Sequence, residues 1–114
     1  LTVDQKAAAH RMYEAFNARD YTATEQIFTH DFYSHPLEAT GPSSVVQAWK
    51  RFHQAFPDVR VVVEDMIVDG DRVAVRTSVH GIPDRHPPMM LEMFTIRDGR
   101  IAELWGLSSL RREA

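Results

Sequence analysis

The chain contains no cysteine. A disulfide, a zinc–thiolate site and a thiol nucleophile are therefore excluded, and a reducing, cytoplasmic setting is the expected one. No apolar run approaches the roughly 20 residues that a membrane-spanning helix needs. Residues 1 to 20 carry charges throughout, unlike the apolar centre of a signal peptide. Basic runs are also lacking. The net charge is −3, and the pair Arg111–Arg112 is too short to track a phosphate backbone, so neither nucleic acid nor membrane is expected as a partner. Glycine is scarce, with five residues, and "GPSSV" is too glycine-poor for a phosphate loop. There are six histidines, but none stands in H-x-x-x-H or H-E-x-x-H spacing. No metal and no cofactor is expected. Ser108 and Ser109 have no base near them in sequence.

What is present reads as one domain over residues 1–114, with hydrophobic residues making up 44% of the chain. Residues 4 to 19 have helical spacing, with Asp4 as a cap and Ala8, Met12, Ala15 and Phe16 on one face. "NARDY" interrupts that helix. Asp20 caps a shorter second helix carrying Ile27 and Phe28. A third helix starts at "TGPSS", where Pro42 suits a first helical position. Val45, Trp49, Phe52 and Phe56 form its stripe, and Pro57 stops it. Trp49 is expected to be buried between this helix and a sheet. From residue 58 the period changes to two. "VRVVVEDMIV", "DRVAVRTSVHG", "MMLEMFTI" and "RIAELWGL" read as strands, and Asp69-Gly70 and Asp98-Gly99 as hairpin turns. The expected class is α+β: three N-terminal helices packed on a mostly antiparallel sheet. If the sheet curves strongly, helices and sheet enclose a cone with an apolar pocket.

Several stretches carry a resemblance: "MYEAFNARDY", "IFTHDFYSHP", the "TGP" helix start, "GDRVAVR" and "IRDGRIAELW". Over nearly its whole length the chain resembles the SnoaL-like polyketide cyclases, which share a cone-shaped α+β superfamily with ketosteroid isomerase and nuclear transport factor two. Fold alone does not fix a reaction. In the cyclases an acidic residue acts from the last strand, at the position of Gly106, and a histidine assists from the position of Glu92. In ketosteroid isomerase the counterpart of Glu92 is a carboxylic acid kept protonated to hold an oxyanion; that enzyme is a standard case of pKa tuning. Its general base precedes a proline at the position of His35. Its oxyanion tyrosine falls near Met12; Tyr13 is adjacent but turned about 100° away on a helix. No Asp-Arg-Asp relay of the limonene-epoxide-hydrolase type can be placed.

The resemblance implies a cofactor-free enzyme of isomerase or lyase type, acting on a small apolar carbonyl compound of polyketide or steroid type. His35 would remove a proton, protonated Glu92 would hold the enolate oxygen, and cyclisation or isomerisation would follow. Tyr13, Trp49, Phe52, Phe94, Gly106 and His86 would contact the substrate. Two readings of each key residue stand. An imidazole titrates near neutral pH, yet His35 sits at a junction where a capping role is as natural. Burial of Glu92 would raise its pKa, yet both faces of "MMLEMF" are apolar, so alternation does not say which way it points. The alternative to an enzyme is a small-ligand-binding or protein-interaction module, which Gly106 favours. Arg76 and His80 share the face opposite Val73, Val75 and Val79. Relatives pair through this outer face, which implies a homodimer. His53 is expected to be structural or exposed.

Overall fold

A computed structural model describes residues 4–110. Its elements run α1 (Gln5–Ala18), a single 3-10 turn (Tyr21–Ala23), α2 (Thr24–Ile27), β1 (Phe28–Ser34), β2 (Ala39–Thr40), α3 (Pro42–Ala55), β3 (Arg60–Asp69), β4 (Arg72–His80), β5 (Met89–Arg97) and β6 (Arg100–Ser108). The carboxylate of Asp4 accepts from the backbone N–H of Ala7 and caps α1. Arg19 ends that helix in the left-handed region at φ 57°. Its guanidinium donates to the carbonyls of Asn17 and Pro57, which ties the helix end to the entry of β3. Pro42 opens α3 as expected, after Gly41 at φ 90°.

The six strands form one curved, unclosed sheet in the order β2-β1-β6-β5-β4-β3, with the helices packed on one face. The three hairpin-connected pairs, β3–β4, β4–β5 and β5–β6, are antiparallel. Asp98 and Gly99 both have positive φ, as a two-residue type I′ hairpin requires. β1 runs parallel to β6. This is the main departure from the sequence expectation: Phe28 begins a strand rather than continuing α2, and "FTHDFYS" is a strand rather than a junction. The strand is hidden in the sequence by a register irregularity between Phe28 and Tyr33. It gives the burial order BBeeBeB, which breaks period-two alternation.

The packed face is set by β4, where Val73, Val75, Thr77 and Val79 are all buried. Phe94, Ile96, Ile101, Phe28 and Phe32 extend it, and Ala8, Ala9, Met12 and Ala15 of α1 cover it. The opposite face carries Ile67, Met89, Leu91, Met93 and Leu107 exposed. Arg76 and His80 lie on this outer face as expected. Arg76 pairs with Asp65 at 2.5 Å, and Nε2 of His80 shares a 2.8 Å hydrogen bond with the Ser78 hydroxyl.

β3 is an edge strand, and Asn17 covers part of that edge. Its amide donates to the Val61 carbonyl (2.9 Å) and accepts from the Val61 N–H (2.8 Å), as a neighbouring strand would. Asn17→Ala leaves two part-buried backbone groups without partners. The expected loss is about 2 kcal/mol of unfolding free energy, measured by denaturant titration.

Candidate functional site

Between the helices and the inner sheet face lies a cavity of about 220 Å³. Met12, Tyr13 and Phe16 line it from α1, Val45, Ala48, Trp49 and Phe52 from α3, and Phe28, Phe32 and Ser34 from β1. Met90, Glu92 and Leu104 line it from β5 and β6, and Pro36 and Leu37 from the segment after β1. The wall is almost wholly apolar. Glu92 and Tyr13 are its titratable groups and Ser34 supplies a further hydroxyl.

Glu92 points inward because it pairs with Val75 of β4 and so shares the face that β4 buries. Its Oε1 accepts a 2.8 Å hydrogen bond from the Tyr13 hydroxyl. Burial in apolar surroundings pushes the Glu92 pKa up to about 7, and the Tyr13 hydrogen bond, which favours the carboxylate, opposes that rise. Tyr13 is raised above the usual tyrosine range by burial, by the nearby Glu92 charge and by the same hydrogen bond. It therefore keeps its proton and is a fixed donor to Glu92. The Tyr13 ring also stands edge-on to Phe94, with centroids 6.2 Å apart, so its hydroxyl is aimed by packing as well as by the hydrogen bond.

The other expected site residues divide. Tyr13 enters the cavity although it is one helical step from Met12, and both residues line its wall. Trp49 and Phe52 are wall residues. Trp49 is half-buried rather than sealed in the core, since the cavity keeps part of its ring accessible while Phe16 (5.5 Å) and Phe28 (6.3 Å) pack against the rest. Phe94 is fully buried beneath the wall and is not among the cavity-lining residues. His86 is exposed in the connection between β4 and β5 and does not line the cavity either. Gly106 pairs with Glu92 across β5 and β6. A Cβ there would lie 3.4 Å from Glu92 Cγ and 3.7 Å from Oε2, in ordinary contact.

His35 corrects the expected pair. Ser34 and not His35 turns into the cavity, so His35 lies on the outer face. There its Nε2 is 2.6 Å from Glu103 Oε2, and its ring stacks on Trp105 at 4.6 Å and 11°. His35 and Glu92 therefore do not flank one ligand. His53, in contrast, is buried inside the helical layer. Its Nδ1 is 2.6 Å from the Tyr21 hydroxyl and its ring packs on Phe16. Burial and then the Arg19 charge lower its pKa. Among the described residues no group of three His, Cys, Asp or Glu side chains is placed to hold a metal ion.

The outer face has a groove of its own, of about 620 Å³. Ile67, Ala74, Leu91, Met93, Trp105 and Leu107 line it, with the Asp65–Arg76 pair at its border. Arg72 lies over the Trp105 ring at 5.3 Å.

A curved sheet covered on one face by three helices, with an apolar cavity and a buried acid between them, defines an α+β cone. The chain belongs to the SnoaL-like domain family, whose model matches residues 9–104. Three solved structures are similar to it. A candidate polyketide cyclase from Bacillus cereus is 26% identical with a TM-score of 0.82, over 90% of this chain and 72% of that one. IdmH from Streptomyces antibioticus, also described as a candidate polyketide cyclase, is 25% identical with a TM-score of 0.80, over 93% and 92%. A third such cyclase, from Sinorhizobium meliloti, is 27% identical with a TM-score of 0.77, over 89% and 94%. Among curated proteins nothing matches the chain.

The buried acid has a consequence for stability. The Glu92 pKa is about 7 folded, against 4.5 for an unperturbed glutamate. Folding is therefore not penalised below pH 4.5. The penalty grows as pH rises toward 7 and is constant above it. Relative to Glu92→Gln, the protein should lose on the order of 2–3 kcal/mol between pH 4.5 and pH 8, read from paired denaturation curves. Comparison with the variant cancels the opposing effect of His53, whose lowered pKa makes it stabilise the fold more as pH rises.

Proposed function

We propose that the protein is a cofactor-free enzyme acting on a small, mostly apolar carbonyl compound, with Glu92 as its proton-transfer group. The observation that carries this reading is the Glu92 carboxyl in an apolar cavity, held by the Tyr13 hydroxyl at 2.8 Å, where burial pushes its pKa up to about 7. A group poised near neutral pH can both take and return a proton. As a carboxylate it removes the proton from a carbon next to the ligand's carbonyl. The C–H electron pair moves into the carbonyl, giving an enolate. In a ligand with a C=C bond β,γ to the carbonyl, the enolate extends over that bond, and the proton on Glu92 returns to the γ-carbon as the double bond moves into conjugation, which is an isomerisation. Alternatively the enolate carbon attacks a second carbonyl of the same ligand, and the proton goes to the new alkoxide, which is a ring closure. Tyr13 keeps its proton throughout and fixes the carboxyl's orientation.

A non-catalytic ligand-binding role is the second reading. It is favoured by Gly106, which leaves no acid at the position where the cyclases act, and by the outward placement of His35. The two readings differ in a measurement that needs no natural substrate: exchange of α-protons of small cyclic ketones for deuterium, followed by NMR. The enzyme accelerates exchange, and Glu92→Gln lowers the rate by about 10²- to 10⁴-fold. Binding without any acceleration across a panel of such ketones supports the second reading.

Assembly is proposed as a homodimer through the outer sheet face. Ile67 and Leu107 are 69% and 79% exposed there, and a contiguous apolar sheet face left in water is an association site. Sedimentation at micromolar concentration should give a dimer, and Leu91→Glu should give a folded monomer. A monomeric parent at high micromolar concentration contradicts this assembly.

A further inference from the structure

The cavity holds one polar group that the proton-transfer scheme does not use. Ser34 is 2% exposed and lines the cavity from the end of β1. Its oxygen accepts from the Leu37 N–H at 3.2 Å. Among the described residues no protein acceptor is found for its hydroxyl hydrogen. The backbone around it is fixed on both sides. Ser34 pairs with Ala39 and with Leu104, and the next N–H, of His35, donates to the Leu104 carbonyl at 2.9 Å. A buried hydroxyl whose oxygen is held and whose hydrogen is free is a positioned donor, and an unpaired donor in an apolar wall is costly unless something accepts from it.

We propose that Ser34 is the group that receives the ligand's carbonyl oxygen and so sets which way the ligand lies relative to Glu92. This rests on the reading of the cavity as a carbonyl-ligand site. Ser34 and Glu92 stand on β1 and β5 with only β6 between them, a lateral separation of roughly 10 Å at the backbone. On β6 the inward residues between them are Leu104, opposite Phe94, and Gly106, opposite Glu92. Glycine puts no side chain into that interval. An oxygen seated at Ser34 leaves the body of the ligand lying over β6, with its carbon skeleton directed to Glu92.

The volume narrows the class further. A cavity of 220 Å³ is about one and a half times the ~150 Å³ that encloses a benzene ring. It is therefore sized for one or two rings. The ligand class assigned is a mono- or bicyclic ketone with one hydrogen-bond-accepting oxygen at its end and acidic C–H bonds within its ring.

The test uses 2-tetralone, a bicyclic ketone, and tetralin, its hydrocarbon counterpart. Binding is measured by calorimetry, and the carbonyl stretching band of bound ketone by infrared difference spectroscopy. In the parent the band moves to lower frequency on binding. Ser34→Ala weakens ketone binding roughly three- to tenfold, returns the band toward its position in an apolar solvent, and leaves tetralin binding unchanged. Ser34→Thr, which keeps the hydroxyl, restores both readouts. The band reads Ser34 and deuterium exchange reads Glu92, so either assignment can fail alone. Equal weakening of ketone and hydrocarbon, an unshifted band in the parent, an unchanged band in Ser34→Ala, or no ketone binding at millimolar concentration each overturns the proposal.

Discussion

The hydrogen bond from Tyr13 to Glu92 is the interaction on which the site depends. A carboxyl in an apolar cavity is an unfavourable thing to build, and its proton affinity rises until the neutral form competes at neutral pH. The tyrosine restrains that rise by favouring the carboxylate, and so keeps the group balanced between two protonation states. It also links α1 to β5 across the cavity. The helix that closes the cone and the acid that gives the cone its chemistry are thus held by one contact. Phe94 packs edge-on against the Tyr13 ring, so the hydroxyl's position is a product of the core itself.

The two faces of the sheet divide the work. The inner face buries valines, Phe94 and Ile96 and then opens into the cavity at Met90, Glu92 and Leu104. The outer face keeps apolar side chains in the open and sets its polar groups in pairs: Asp65 with Arg76, and His35 with Glu103. Trp105 lies between the His35 ring and the Arg72 guanidinium. Glu92 stands on β5 between the outward Leu91 and Met93, and its pairing with Val75 commits it inward.

Much of the fold was legible in the sequence because its signals are local. The cap at Asp4, the Pro42 start of α3 and the Asp98-Gly99 turn each depend on a few consecutive residues, and β4 alternates without interruption. β1 was not legible. Its alternation is broken by an irregularity, and its partner, β6, lies some 70 positions later. That loss carried over to the site. In a strand a shift of one residue exchanges the faces, so Ser34 rather than His35 enters the cavity. Glu92 was legible as a candidate but not as an inward one, because Leu91 and Met93 make the outer face as apolar as the inner. Tyr13 was legible as a neighbour of the right position, while its partner could be found only with α1 and β5 in place.

The central claim is that Glu92 is a cavity acid balanced near neutrality by Tyr13. Its most direct test is the carboxyl carbon-13 resonance of Glu92, followed by NMR as pH is raised. The account predicts a midpoint near 7 in the parent, and a higher midpoint in Tyr13→Phe, where the hydrogen bond that favours the carboxylate is gone. A midpoint in the ordinary glutamate range, or one unmoved by Tyr13→Phe, would contradict it.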